Sequence, residues 1–405
     1  MKKYIMKKYI VIIIANVLML SCNSKSEKEI VDVTIDTDYL EEIIIKPTNF
    51  IKNSTYIQLE TEENSLLGNN IEKLVVNEDK IFILDSNNKI FVFDINGAFL
   101  NTIGSKGSGP NEQLSIVSFY VHPIKKYIGV FDILKHTVFK YSFDGILLDK
   151  VKYDKSLSEF YNVVLLPENN KLILTTYNEP RNKYEYLLIN ESNMDLESEK
   201  FPYLATGDIA MKYGFPRIAI NQNTCFVLSQ YSDVIQKYNN GEFNPYLLVN
   251  THLKSISPNI KFSDVKETGT VLDFDKDLIE KKYSLGLEQI FLTDNYLYIK
   301  YNNYEKNEIY HIFRDFPNDR NFLVTLDKGF YEYPMSGIIS FENFKASSNN
   351  NLILILFSND SFKDVDQEVI DNNKSLKKIR SNYKEDNNPI VVFVNVEKIF
   401  KDAKN

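Results

Sequence analysis

The sequence predicts an all-β fold: a six-bladed β-propeller of four-stranded antiparallel blades, its ring closed by an N-terminal strand. Three observations carry that expectation. Apolar stretches rich in Ile, Val, Phe and Tyr follow one another between clusters of Asn, Asp, Gly and Ser, and no long amphipathic helix interrupts them. The text also repeats, since "KIFILDSNNKIFVFDINGAFLNTIG" (80–104) and "YIGVFDILKHTVFKYSFDGILLDKV" (127–151) both read strand, Asp, polar turn, strand, turn ending in Gly, strand. Asp85 recurs as Asp132 at a separation of 47 and Gly97 as Gly145 at 48, periods of the size of a propeller blade. Finally, "STYIQLE" (54–60) belongs to no unit, and pairing it with the last one would leave no open edge between the first and last blades.

The elements follow in order. Lys7 and Lys8 precede the apolar run Ile10 to Leu20, which is too short for a membrane-spanning helix of about 20 residues but suits the core of a secretory signal. Residues 1–21 are therefore read as a signal peptide. "LMLSC" resembles the lipobox of bacterial lipoproteins, which implies cleavage before Cys22 and acylation of its thiol and new amino group. Asn23 after it favours the outer membrane, with the folded part facing the periplasm or the cell surface. Residues 22–38 are polar and are read as a flexible tether.

Residues 39–405 are read as one propeller domain. Its units run near 71–104, 114–152, 159–201, 215–249, 287–327 and from about 338 to the end of "PIVVFVNVEKI". Two stretches lack the strand pattern, 251–286 and 363–388, and are read as insertions, the second partly helical. Cys225, inside "CFVLS", is read as a small buried hydrophobe.

The run "GSKGSGPNE" (104–112) has no GK[ST] pair and is followed by β-branched residues rather than a helix, so it does not cradle phosphate. It reads as the corner between the outer strand of one blade and the inner strand of the next. Together, "YIQLETEENSLLG" (56–68) and residues 82–113 resemble the six-bladed β-propeller lipoproteins of Gram-negative bacteria, relatives of the NHL-repeat propellers. The corner pattern of that family, G-x-x-G-x-G-P-x-E, is matched by Gly104, Gly107, Gly109, Pro110 and Glu112. The resemblance is strong over 54–152 and fades to strand rhythm afterwards; it implies a fold and a place in the envelope, and no agreed activity.

Strands that alternate in direction put the corner and the turn between second and third strands on one face of the disc. Asp85, Lys106, Glu112, Asp132, His136, Arg217 and Tyr231 are the candidate binding residues on that face. For Asp85 and Asp132 the alternative is capping of their own turns. The four histidines show no metal-ligand spacing and no G-x-S-x-G is present, so no catalytic or metal residue is assigned and no cofactor is expected. A net charge of −8 argues against nucleic acid as a partner. The expected function is a lipid-anchored binding or scaffold module for a protein, peptide or glycan. The alternative is a calcium-dependent hydrolase or lyase at the mouth of the central channel.

Overall fold

The apolar runs are strands buried on both faces, which is why they read as continuous Ile, Val, Leu and Phe rather than as alternating text. The computed structural model describes residues 31–157, 159–177, 182–203, 217–256, 271–327, 344–356, 367–382 and 387–403. Three short strands come first: β1 (Val33–Asp36), β2 (Glu41–Ile45) and β3 (Ser54–Gln58). Blade 1 holds β4 (Ile71–Asn77), β5 (Lys80–Asp85), β6 (Ile90–Asp94) and β7 (Phe99–Ile103). Blade 2 holds β8 (Ile116–His122), β9 (Tyr127–Asp132), β10 (Thr137–Ser142) and β11 (Leu147–Lys152). Blade 3 holds β12 (Phe160–Leu166), β13 (Lys171–Thr176), β14 (Tyr184–Asn190) and β15 (Leu196–Pro202). Blade 4 holds β16 (Ile218–Asn221), β17 (Thr224–Leu228), β18 (Val234–Asn239) and β19 (Glu242–Asn250). Blade 5 holds β20 (Gln289–Leu292), β21 (Tyr296–Asn303), β22 (Glu308–Asp315) and β23 (Arg320–Leu326). The last blade takes only three strands from the end of the chain, β24 (Phe344–Ser348), β25 (Asn351–Leu356) and β26 (Ile390–Asn395).

Its fourth strand is β3, which pairs antiparallel with β26 from Ser54↔Val394 to Gln58↔Ile390 and closes the six-bladed ring. The two strands before it do something the sequence reading lacks. β1 adds to the outer edge of blade 4, parallel to β19 with Val33 opposite Leu247, and β2 adds in the same way to blade 5, with Glu41 opposite Phe322. Blades 4 and 5 thus have five strands, and the N-terminal segment is a belt around half the rim. The tether expected over 22–38 is corrected at its far end, because Val33–Asp36 is a bound strand and Ile35 is buried beneath it. The alternation of Val33 and Ile35 with Thr34 and Asp36 supplies the strand pattern. The expected signal peptide, Cys22 and the rest of the tether lie outside the described residues.

A period of two sends the neighbours in each strand to opposite blades. In β5, Ile81 and Ile83 face the last blade while Phe82 and Leu84 face blade 2. In β21, Leu297 and Ile299 face blade 4, and Tyr296 and Tyr298 face the last blade. Six apolar clusters result, one between each pair of adjacent blades. Cys225 faces blade 3 in one of them, fully buried, with its thiol pushed up to about 12 by desolvation.

The two irregular stretches carry helices. α1 (Pro47–Lys52) lies between β2 and β3, and α2 (Val271–Glu280) lies in the first insertion. The second insertion contributes α3 (Gln367–Asp371) and α4 (Lys374–Asn382). Asn373 donates from Nδ2 to the carbonyls of Ile51 and Ser54, so this insertion holds the closing strand in place. The described residues end in α5 (Val396–Ala403), whose Phe400 ring packs edge-on against Phe313 and Phe322, 4.8 Å between centroids in each case.

Gly129 is the one glycine within β9, and the Tyr120 ring occupies the place of its missing side chain. A Cβ there would lie 2.2 Å from Tyr120 Cε1. The ring cannot retreat easily, since Tyr120 Oη donates to the buried Glu191 carboxylate at 2.6 Å, which also pairs with Lys140 Nζ at 2.6 Å. Burial works to raise the Glu191 carboxyl, but bonds from Lys140, Tyr120 and Tyr127 hold it below its ordinary value. This network ties blade 2 to blade 3. Gly129→Ala is expected to destabilise the fold by about 1–3 kcal/mol through overpacking, read as a lower denaturant midpoint; an unchanged midpoint would contradict this packing.

The belt is fastened to blades 4 and 5 by polar groups. His252 Nε2 lies 2.8 Å from Asp36 Oδ1 and 3.4 Å from Asp38 Oδ2, Asn250 Nδ2 donates to Asp36 Oδ2 at 3.2 Å, and Lys306 Nζ lies 3.3 Å from Asp38 Oδ1. The bond to His252 is the main cause lowering the Asp36 pKa, and the same bond raises that of His252. A raised imidazole contributes fully below its ordinary value of about 6.5 and loses its contribution as pH rises through the raised one. A lowered carboxylate contributes above its ordinary value and loses its contribution as pH falls through the lowered one. Hydrogen exchange of β1, corrected for the intrinsic pH dependence, should therefore be slowest between those two limits. It should rise by a fewfold on the alkaline side, and His252→Gln should abolish that rise.

Candidate functional site

The inner strands begin where the second strands of their blades end, with Ile71 opposite Asp85 and Ile116 opposite Asp132. They enclose a cavity of about 850 Å³ along the axis. Residues early in each strand stand at its mouth and later ones deeper, so the mouth carries Asn70, Glu72, Ser115 and Tyr161 while Val76, Val121, Leu165 and Ile220 line the far part. A polar entrance leads into an aliphatic interior.

The mouth is built by a repeated irregularity. Register shifts fall between Ile71 and Lys73, Ile116 and Ser118, Phe160 and Asn162, and Phe344 and Ala346. Four of the six inner strands thus bulge at their second residue, which re-aims side chains there. The bulged residues Glu72, Val117, Tyr161 and Lys345 all line the cavity. Tyr161 packs against Tyr177, with ring centroids 5.1 Å apart, and its hydroxyl pKa is raised to about 12 by burial.

One residue further in, Lys73, Ser118 and Asn162 occupy equivalent positions. Lys73 Nζ donates to Ser118 Oγ at 3.3 Å, to Asn162 Oδ1 at 2.8 Å and to the Val163 carbonyl, linking blades 1, 2 and 3, and it lies 5.4 Å from the centre of the Phe119 ring. Every acceptor is neutral. No carboxylate among the described residues pairs with this ammonium, and its burial pushes the pKa down to about 7.

The residues expected to form the binding face have mixed fates. Asp85 Oδ1 accepts from the backbone N–H groups of Asn87 and Lys89, and Oδ2 from Gly68 N–H and Asn87 Nδ2. Asp132 accepts from the N–H groups of Leu114, Leu134 and Lys135. Both are fully buried turn caps that also fasten the incoming corner, which is the alternative the sequence left open for them. Glu112 folds back to accept from Gly109 N–H at 2.8 Å, so close that a Cβ on Gly107 would meet its carboxylate. Lys106 is exposed on the same corner, opposite Gln113. His136, at φ +47°, stands edge-on to Tyr153, with Nδ1 buried and lacking a hydrogen-bond partner.

Arg217 precedes the inner strand of blade 4, and Tyr231 lies in the turn between β17 and β18 of the same blade. Arg217 is only 5% exposed, and its Nη1 has no hydrogen-bond partner. Glu185 is buried in the same region and accepts from Ser229 Oγ and, at 2.9 Å, from Gln230 N–H. Burial raises its carboxyl to about 7 against the pull of Arg217 and of those bonds. Tyr231 packs with Leu278 of α2 and with Leu285, and donates to Asp275 Oδ1 at 3.3 Å.

Of the seven candidates, only Asp85 borders the axial cavity. The sequence reading missed Lys73, Ser118, Asn162, Tyr161 and Tyr177. The available signal was the polar residue at the third position of successive inner strands, in "IEKLVV", "IVSFYV" and "FYNVVLL". Glu72 and Asp85 are the carboxylates that line the cavity among the described residues, and both oxygens of Asp85 are engaged. With the Asp85 oxygens engaged, Glu72 alone of these two is left to neutralise a calcium ion, so the geometry does not favour the calcium-dependent alternative.

Comparison with known proteins places this architecture. A solved structure from Bacteroides fragilis, bearing the name "putative exported protein", is 20% identical; the match covers 90% of this chain and 99% of that one, with a TM-score of 0.64. A member of the DUF4221 family from Bacteroides vulgatus is 11% identical, with 84% and 95% of the two chains covered and a TM-score of 0.51. These likenesses establish a shared fold. No curated protein matches the chain significantly. The family described as "Domain of unknown function (DUF4934)" matches residues 30–395, and the chain belongs to that family.

Proposed function

We propose that the protein is a lipid-anchored, non-enzymatic propeller of the cell envelope that binds a protein, peptide or glycan at the mouth of its axial cavity. The observation that carries this reading is the set of bulged residues Glu72, Val117, Tyr161 and Lys345, which opens an 850 Å³ cavity in a scaffold whose turn carboxylates are already engaged. A pocket of this size with few convergent polar groups above an aliphatic interior suits a ligand of moderate size. The side chains in reach are suited to holding: an aromatic pair, amides, hydroxyls and a lysine. The anchor reading rests on "LMLSC" with Cys22, and the name of the Bacteroides fragilis structure agrees with an envelope location.

Two measurements test the two halves. Hydrogen exchange with and without panels of oligosaccharides and peptides should show protection confined to 71–73, 116–118, 160–163 and 345–347; protection elsewhere would move the site. Labelled palmitate should enter the wild-type chain and not Cys22→Ser, which should leave the membrane fraction. A variant that still took up label and stayed membrane-bound would remove the anchor.

A further inference from the structure

We propose that the axial cavity recognises a carboxylate on its ligand, and that Lys73 is the residue that pairs with it. The inference rests on the cavity being the binding site and adds the chemistry it selects. A cation taken out of water requires a counter-charge, or it tends to lose its proton. Lys73 has only the oxygens of Ser118, Asn162 and Val163 around its ammonium.

The other ionisable groups bordering the cavity do not neutralise it. Glu72 is exposed at the mouth and accepts from Asn70 Nδ2 at 2.9 Å. Asp85 is saturated by its turn. Lys345, across the mouth, adds a second positive charge, and Tyr161 and Tyr177 are phenols. The level just inside the mouth therefore presents one cation without a carboxylate partner beside amide and hydroxyl groups, with an aromatic pair on one side. A ligand carboxylate entering from the mouth supplies the missing negative charge.

This makes a distinctive prediction about protons. Without ligand the Lys73 ammonium titrates at about 7. Pairing with a carboxylate favours the charged form and raises that value, so binding at pH 7.5 takes up a proton, and binding at pH 6, where Lys73 is already charged, takes up almost none.

Isothermal titration of the purified full-length protein in buffers of different ionisation enthalpy reads this directly. The probes are a galacturonate disaccharide and an acidic dipeptide, each beside its neutral counterpart. The expected result is that one acidic probe binds at least about tenfold more tightly than its neutral counterpart, with proton uptake at pH 7.5 only. Which of the two binds identifies the source of the carboxylate. Lys73→Met should lose the preference. Lys73→Arg keeps a permanent charge and should retain binding without proton uptake, which covers the case in which the methionine variant fails to fold. A lysine acting only as a strut between blades would lower stability on substitution and move no proton on ligand addition. Equal binding of acidic and neutral probes, with protection of 71–73 and 160–163 in hydrogen exchange, overturns the carboxylate inference while leaving the cavity as the site. Failure of every probe to bind or protect these segments overturns both.

Discussion

Everything in this protein depends on burying both faces of each central strand at once. Sending odd and even residues to different neighbours gives each blade two apolar surfaces, neither of which can be covered unless a blade stands on either side. A single blade would expose half its core, and a row of blades would expose two ends. The ring is the arrangement in which every such surface meets another, and β3 completes it by giving the last blade its outer strand. The same constraint shapes the site, since strands held side by side around an axis leave a channel between them, and the bulges at their second residues decide which side chains stand at its entrance.

Polar groups then fix what the apolar clusters leave free. Asp85 and Asp132 hold equivalent turns and pin the corner or loop that enters each blade. Glu191 joins blades 2 and 3 through Tyr120, Tyr127 and Lys140. Asn373 reaches from an insertion to hold the closing strand. In each case a buried polar group is satisfied by partners from a different element, so its bonds specify relative position as well as stability.

Much of the fold was legible in the sequence because its signals are local and repeated. The unit starting near 71 and ending near 104 is β4 to β7, and the later units fall within a few residues of the observed blades. The closing role of "STYIQLE" could be read because one strand was left over where one edge was missing. β1 and β2 were not legible, since strands of four and five residues that pair in parallel with partners more than 200 positions away leave no local trace beyond a brief alternation. The site was less legible still. Aspartates in turns attract notice by recurring, yet recurrence at Asp85 and Asp132 reflects backbone bonding common to both blades. Lys73 carries no local mark that sets it apart from other strand lysines, and only the three-dimensional alignment of β4, β8 and β12 puts it beside Ser118 and Asn162.

The belt has a consequence for how the molecule comes into being. Its strands are the first of the described chain to be made, yet their partners are Leu247, Phe322 and Val394, in the last three blades. These strands must therefore wait, unpaired, until their partners have emerged, β1 for β19, β2 for β23 and β3 for β26, and the loops they close are long. Completion of the disc is a late step in which the oldest residues clasp the youngest.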